Sequence, residues 1–249
     1  MKINLCLLFC LLILAINRCA SHYSPGFIAG ENKIADRASY LKDISSQLQQ
    51  QWPNNRTINV VCHGHSVPAG YFKTPDVNTF EAYPHLLHQR LKKRFPYAVV
   101  NVIVSAIGGE NSESGAKRFE KDVLSLNPDI ITIDYALNDR SIGLEKAKKA
   151  WTSMIELAKL KGIKIILLTP TADESAHLDE TNDPLNLHAE QIKLLAKKYQ
   201  VGLADSYTAF KQYVQDGGDL NDLMSHVNHP NRKGHELVVE ELLKWFSIE

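Results

Sequence analysis
Continuous apolar runs alternate with amphipathic segments along most of this chain. Residues 57–63 (TINVVCH) form a short β-branched run, predicted as a first buried strand. Residues 98–105 (AVVNVIVS) predict a second strand, and 129–134 (DIITID), introduced by Asn127-Pro128, a third. A fourth lies at 164–169 (KIILLT) and a short fifth at 201–204. Between them the period changes. Phe80, Tyr83, Leu87 and Leu91 recur at helical spacing, as do Leu144, Ala147, Trp151, Met154, Ile155 and Ala158. Gly162 ends that second helix. Asp183-Pro184 reads as an N-cap and first helical residue, ahead of Leu185, Ile192, Leu195 and Tyr199 on one face. Leu237, Val238, Leu242 and Trp245 mark a closing helix. Largely apolar strands separated by helices predict a parallel sheet covered on both sides. The expected architecture is one three-layer α/β/α sandwich with about five parallel strands.

The first residues follow another pattern. Lys2 precedes an apolar run from Leu5 to Ile16, interrupted at Asn17 and Arg18. That run is short for a membrane span and suits the core of a secretory signal, with cleavage near Ala20 or Ser21. The division expected is a signal peptide at 1–20, an N-terminal extension with a first helix at 21–56, and the main domain at 57–249. Export to a periplasmic or extracellular space follows, with an uncleaved membrane anchor as the alternative. Cys6, Cys10 and Cys19 all fall in or beside this leader, and Cys19 raises the question of lipidation. Only Cys62 would remain in a mature chain, so no internal disulfide is available.

Composition narrows the classes of partner. The chain has 249 residues, 44% hydrophobic and 22% charged, which is ordinary for one globular core. Lysine plus arginine and aspartate plus glutamate both total 28, which gives no electrostatic argument for nucleic acid or anionic membrane.

Four separated segments carry candidate chemistry: Gly64-His65-Ser66, Gly108-Gly109-Glu110-Asn111, Ala136-Leu137-Asn138-Asp139 and His226-Val227-Asn228-His229-Pro230. They hold a serine, a glycine amide, an asparagine side chain and a histidine, the groups that acyl transfer requires. The first three follow predicted strands, and ligands of open parallel sheets sit outside the carboxyl ends of the strands. Pro68 rules out a Gly-x-Ser-x-Gly elbow. Gly109 also fits a plain turn, Asn138-Asp139 a turn pair, and a lone histidine a structural role. Asp139 and Arg140 are expected to pair or cap nearby.

These segments resemble the blocks of the SGNH hydrolases, also called the GDSL esterase and lipase superfamily, from about residue 57 to the C-terminus. The resemblance implies a flavodoxin-like sandwich, Ser66 as nucleophile and His229 as base. It also implies an oxyanion hole from the Ser66 and Gly109 amides and the Asn138 side chain, with no cofactor or metal. Two positions depart from the pattern. His65 stands where the family has the aspartate of Gly-Asp-Ser, and His226 stands where Asp-x-x-His would put the orienting acid. A backbone carbonyl of the His226 loop, or another acid such as Asp205, is expected to orient His229 instead.

Two alternatives remain at this point. Ten histidines, with His63 beside His65 and His226, His229 and His235 late in the chain, suggest a metal-dependent hydrolase. The missing acid suggests a non-catalytic carbohydrate-binding protein on the same scaffold. The substrate expected is a small-molecule or glycan ester with a short acyl group. Neither 67–78, where Tyr71 and Phe72 are placed to line a pocket, nor the acidic loop 171–183 is greasy enough for long chains. His85 and His88 read as surface residues.

Overall fold
In the computed structural model, which describes residues 33–247, the five apolar runs pair as one sheet. The strands are β1 (Thr57–Gly64), β2 (Val99–Ala106), β3 (Ile130–Asp134), β4 (Lys164–Leu168) and β5 (Gly202–Ala204). They lie in the order β2-β1-β3-β4-β5, with every neighbouring pair parallel. This is the doubly wound order with its switch point between β1 and β3. The expected signal peptide, with Cys6, Cys10 and Cys19, lies outside the described residues, and Cys62 is a buried free thiol.

The helices are α1 (Lys42–Gln49), α2 (Ser66–Ala69), α3 (Tyr83–Arg94), α4 (Ser112–Asp122), α5 (Ala136–Asp139), α6 (Leu144–Leu160), α7 (Pro184–Tyr199), α8 (Ser206–Gln215) and α9 (Arg232–Leu243). A small antiparallel hairpin joins β6 (Met224–His226) to β7 (His229–Pro230). Strand alternation sorts the core into two halves. Ile58, Val60 and Cys62 of β1 face α1, α3, α8 and α9, meeting Leu48, Leu87, Phe210 and Val238. Val61 of β1 and Ile131 and Ile133 of β3 face the other way, against Phe119 of α4 and Trp151, Met154 and Ile155 of α6. Those three α6 side chains are wholly buried, each contributing about 1.5–3 kcal/mol by leaving water.

Most elements start and stop where side-chain chemistry directs. Asp183 caps α7 by accepting the Leu185 amide at 2.7 Å, with Pro184 in the first turn. Gly162 follows α6 at φ +72°. Two expectations fail locally, and two helices go unread. Phe80 is not part of α3: it is 73% exposed in a 3₁₀ turn before the helix, which starts at Tyr83. The edge strand β2 is only half covered, with Val99 and Val104 exposed. Helices α4 and α8 escape a reading by periodicity. The α4 sequence, SESGAKRFEKD, offers one large apolar residue, Phe119.

Candidate active site
The strands that lead to Ser66, Gly109 and Asn138 end at the carboxyl edge of the sheet, and His229 comes from the separate β6–β7 hairpin. β1 stops at Gly64, level with Ala106 of β2 and Asp134 of β3. A Cβ on Gly64 would lie 2.5 Å from the Asp134 carbonyl oxygen and 2.7 Å from the Pro68 ring. Glycine is required there by close backbone approach. The chain then enters α2 at Ser66, and Gly70 closes that turn at φ +91°.

Ser66 Oγ lies 2.9 Å from His229 Nε2, across 163 residues of sequence. His229 Nδ1 lies 3.0 Å from the Phe72 carbonyl oxygen. A carbonyl only accepts, so Nδ1 carries the ring proton and Nε2 presents its lone pair to the serine hydroxyl. Burial, the largest influence, holds the His229 pKa below its ordinary value, against the opposing pull of the Phe72 carbonyl. The imidazole is therefore neutral at neutral pH.

The acceptor of His229 Nδ1 corrects both expectations for the orienting group. It is a backbone carbonyl, but that of Phe72 rather than His226, whose side chain is exposed. Asp205 is engaged elsewhere. It caps α8 through the Thr208 amide at 3.2 Å, accepts from Thr169 Oγ1 at 2.9 Å, and pairs with Lys193 Nζ at 3.2 Å. The Phe72 ring does not line the cleft. It is buried and stacked on His235 with centroids 5.4 Å apart. His235 Nδ1 in turn accepts the Tyr83 amide at 3.2 Å. Burial pushes the His235 pKa down to about 3, so this support stays uncharged.

Gly109 sits at φ +76° with open space where a side chain would begin, so its amide is approachable. Tyr71 borders the same opening. Its ring rests on Gly108, where a Cβ would come within 2.8 Å, and its centroid is 6.2 Å from that of His229. Asn138 Nδ2 donates to the Glu110 carbonyl at 2.9 Å. An amide nitrogen has two protons, so this bond ties the two loops together and leaves one donor. Behind the glycine loop, Glu110 pairs with Arg118 at 2.6 Å and accepts Tyr135 Oη at 2.8 Å. Asp139 accepts the Ser112 amide at 2.8 Å and Trp151 Nε1 at 2.7 Å, a structural role.

Beside Asn138 opens a cleft of about 580 Å³ lined by Leu137, Arg140, Ser141, Ser175 and Asp183, a size suited to a small ligand. The acidic loop 171–183 is thus partly structural. Asp173 pairs with Arg140, and the Glu174 amide binds the Val227 carbonyl at 2.8 Å, joining the loop to the β6–β7 hairpin. The other histidines are engaged separately. His63 lies with Nδ1 3.0 Å from the Ser105 carbonyl and Nε2 3.2 Å from the Gly115 carbonyl, one of which accepts its single ring proton, and His88 donates to the Val100 carbonyl. Among the described residues no group of three or more His, Cys, Asp or Glu side chains is placed to hold a metal ion. Among those residues, too, no helix is long and apolar enough to cross a membrane.

Two participants were not assigned from sequence. One is the Phe72 carbonyl, a backbone atom that any residue could supply. The other is His65, whose Nδ1 lies 3.3 Å from Ser66 Oγ and whose Nε2 lies 3.4 Å from Asp134 Oδ1.

The fold is shared with solved esterases. Axe2, an acetylxylan esterase from Geobacillus stearothermophilus, superposes with a TM-score of 0.66 at 20% identity, over 77% of this chain and 95% of that one. A two-domain esterase (CEX) active on acetylated mannans, co-crystallised with mannopentaose, gives a TM-score of 0.67 at 22% identity. That match covers 85% of this chain and 55% of the other, so the present chain spans about half of it. A search of curated protein sequences found no significant match. A family profile matches residues 62–237, a stretch that runs from the end of β1 into α9 and encloses every group described above. On that evidence the chain belongs to the GDSL-like lipase/acylhydrolase family and is a hydrolase of ester bonds.

Proposed function
We propose that this protein is a serine esterase that removes short acyl groups, acetyl foremost, from carbohydrate esters through an acyl-enzyme. The observation that carries the reading is the 2.9 Å contact between Ser66 Oγ and the unprotonated Nε2 of His229 at the sheet's carboxyl edge. His229 takes the Ser66 proton as Oγ attacks the ester carbonyl. The oxyanion accepts from the Ser66 and Gly109 amides and from the free proton of the Asn138 amide. His229 then protonates the departing alcohol, and water repeats the sequence on the acyl-enzyme. A carbonyl in place of the usual carboxylate keeps the correct imidazole tautomer, and loss of that tautomer is what makes removal of a triad acid so costly. It gives less help to the imidazolium that forms, so a slower enzyme is expected, not an inactive one.

Preference for a short acyl group is supported by the acetyl-glycan activity of the two structural neighbours. The apolar leader supports action outside the cytoplasm. The deciding experiment is an acyl series of aryl esters run alongside acetylated xylan and mannan oligosaccharides, with Ser66→Ala and His229→Ala as controls. Efficiency should peak at acetate and fall with Ser66→Ala to the uncatalysed rate. A steady rise from acetate to laurate refutes the substrate assignment. Unchanged hydrolysis by Ser66→Ala refutes the nucleophile.

A further inference from the structure
Ser66 has a second imidazole beside its hydroxyl. His65 Nδ1 lies 3.3 Å from Oγ and also accepts the Val67 amide at 3.3 Å. An N–H aimed at Nδ1 requires a lone pair there, so the ring proton sits on Nε2. That nitrogen is 3.4 Å from Asp134 Oδ1, a charge contact that falls short of an aligned hydrogen bond. His65 is 1% exposed and Asp134 3% exposed. Two lines therefore meet at one hydroxyl. The line from the Phe72 carbonyl runs through the half-buried His229, whereas the line from the Asp134 carboxylate through His65 is sealed from solvent. The carboxylate missing at position 226 has its counterpart on the other imidazole.

We infer, resting on the reading of Ser66 as nucleophile, that His65 is a second general base for Ser66, polarised by Asp134, that can take the serine proton but cannot return it to a leaving group. In that step the Ser66 O–H bond breaks and an N–H bond forms at His65 Nδ1. Oγ bonds to the ester carbon, and the ester C–O bond breaks. The imidazolium remains beside the Asp134 carboxylate, and the Val67 amide gives up its acceptor. The leaving group must depart as its own anion, because a side chain this buried does not reach it. Nitrophenolate is stable enough to do so; a sugar alkoxide is too basic. Hydrolysis of the acyl-enzyme needs a base that water can reach, the role of the half-buried His229. The two histidines thus predict separable losses.

The test compares the parent with His229→Ala, His65→Asn/His229→Ala and Asp134→Asn/His229→Ala, using 4-nitrophenyl acetate in rapid mixing, intact-protein mass and acetylated xylo-oligosaccharide. The amide oxygen brought in by His65→Asn still accepts the Val67 amide, as turn-capping asparagine does, but takes up no proton. His229→Ala should release a stoichiometric burst of nitrophenolate, gain one acetyl group on Ser66 and then stall, with no release from the oligosaccharide. Adding His65→Asn should slow that acylation by about 10²-fold, the contribution of a general base. Adding Asp134→Asn, which leaves His65 and its cap in place, should slow it in the same direction. Equal acylation rates in His229→Ala and both double variants overturn the inference. Failure of the parent to acylate Ser66 overturns instead the reading on which it rests.

Discussion
Asn138 offers the sharpest test of the oxyanion site, because one side chain holds two separable bonds. Its Nδ2 donates to the Glu110 carbonyl at 2.9 Å, leaving one proton for the developing oxyanion. Asn138→Ala removes both. The Glu110 bond is half-exposed, so water replaces much of it, and the stability cost should be about 1 kcal/mol. The oxyanion bond forms fully only in the transition state, where loss of one donor costs about 3 kcal/mol. At about 1.4 kcal/mol per decade, that is a fall in kcat of about 10²-fold with KM little changed. Steady-state kinetics on an aryl acetate read the first quantity, and chemical denaturation the second. Asn138→Asp should be worse than alanine, since a carboxylate faces a carbonyl and an oxyanion with no proton for either. A kcat loss under tenfold in a folded Asn138→Ala variant would refute the assignment. So would a loss fully explained by a collapse in stability.

Other predictions follow from the same contacts. Burial lowers the His229 pKa from 6.5, and catalysis needs its neutral form, so the acid limb of kcat/KM should have its midpoint below pH 6.5; a midpoint above 7 contradicts the geometry. Burial also lowers His63 to about 4 and His235 to about 3, while the unfolded chain binds protons at about 6.5. Stability should therefore be full above pH 6.5 and fall as pH drops toward those values. Each imidazole costs about 2 kcal/mol by pH 5, and denaturation midpoints unchanged between pH 7 and 5 would count against it. Arg118→Ala strands the Glu110 carboxylate, whose side chain is 9% exposed, behind the glycine loop. It should destabilise by about 3 kcal/mol and lower activity, and adding Glu110→Gln should recover part of the stability, as a double-mutant cycle would measure.

What could be read before folding was whatever repeats or depends on residue type. Continuous β-branched runs located β1, β3 and β4 to within a residue or two, because strands buried on both faces must be apolar throughout. The 3.6-residue period located α6 and the Asp183-Pro184 start of α7 for the same kind of reason. Helix α4 was not legible, since its buried face rests on Gly115 and Phe119 and leaves too weak a stripe. Gly109, Asn138, Ser66 and His229 were legible as residue types at strand ends, and parallel topology gathers strand ends on one edge.

Tertiary structure decided the rest. That Phe72 supplies a carbonyl to His229 concerns a backbone atom, which every residue possesses and no sequence pattern marks. That Asp205 is unavailable follows from its capture by Thr169 just past β4, Thr208 of α8 and Lys193 of α7. That His65 turns its lone pair to the serine depends on a side-chain angle fixed by the Val67 amide and the Asp134 carboxylate. Residue type states which atoms a chain carries; only packing sets the few ångströms that separate a hydrogen bond from a bystander.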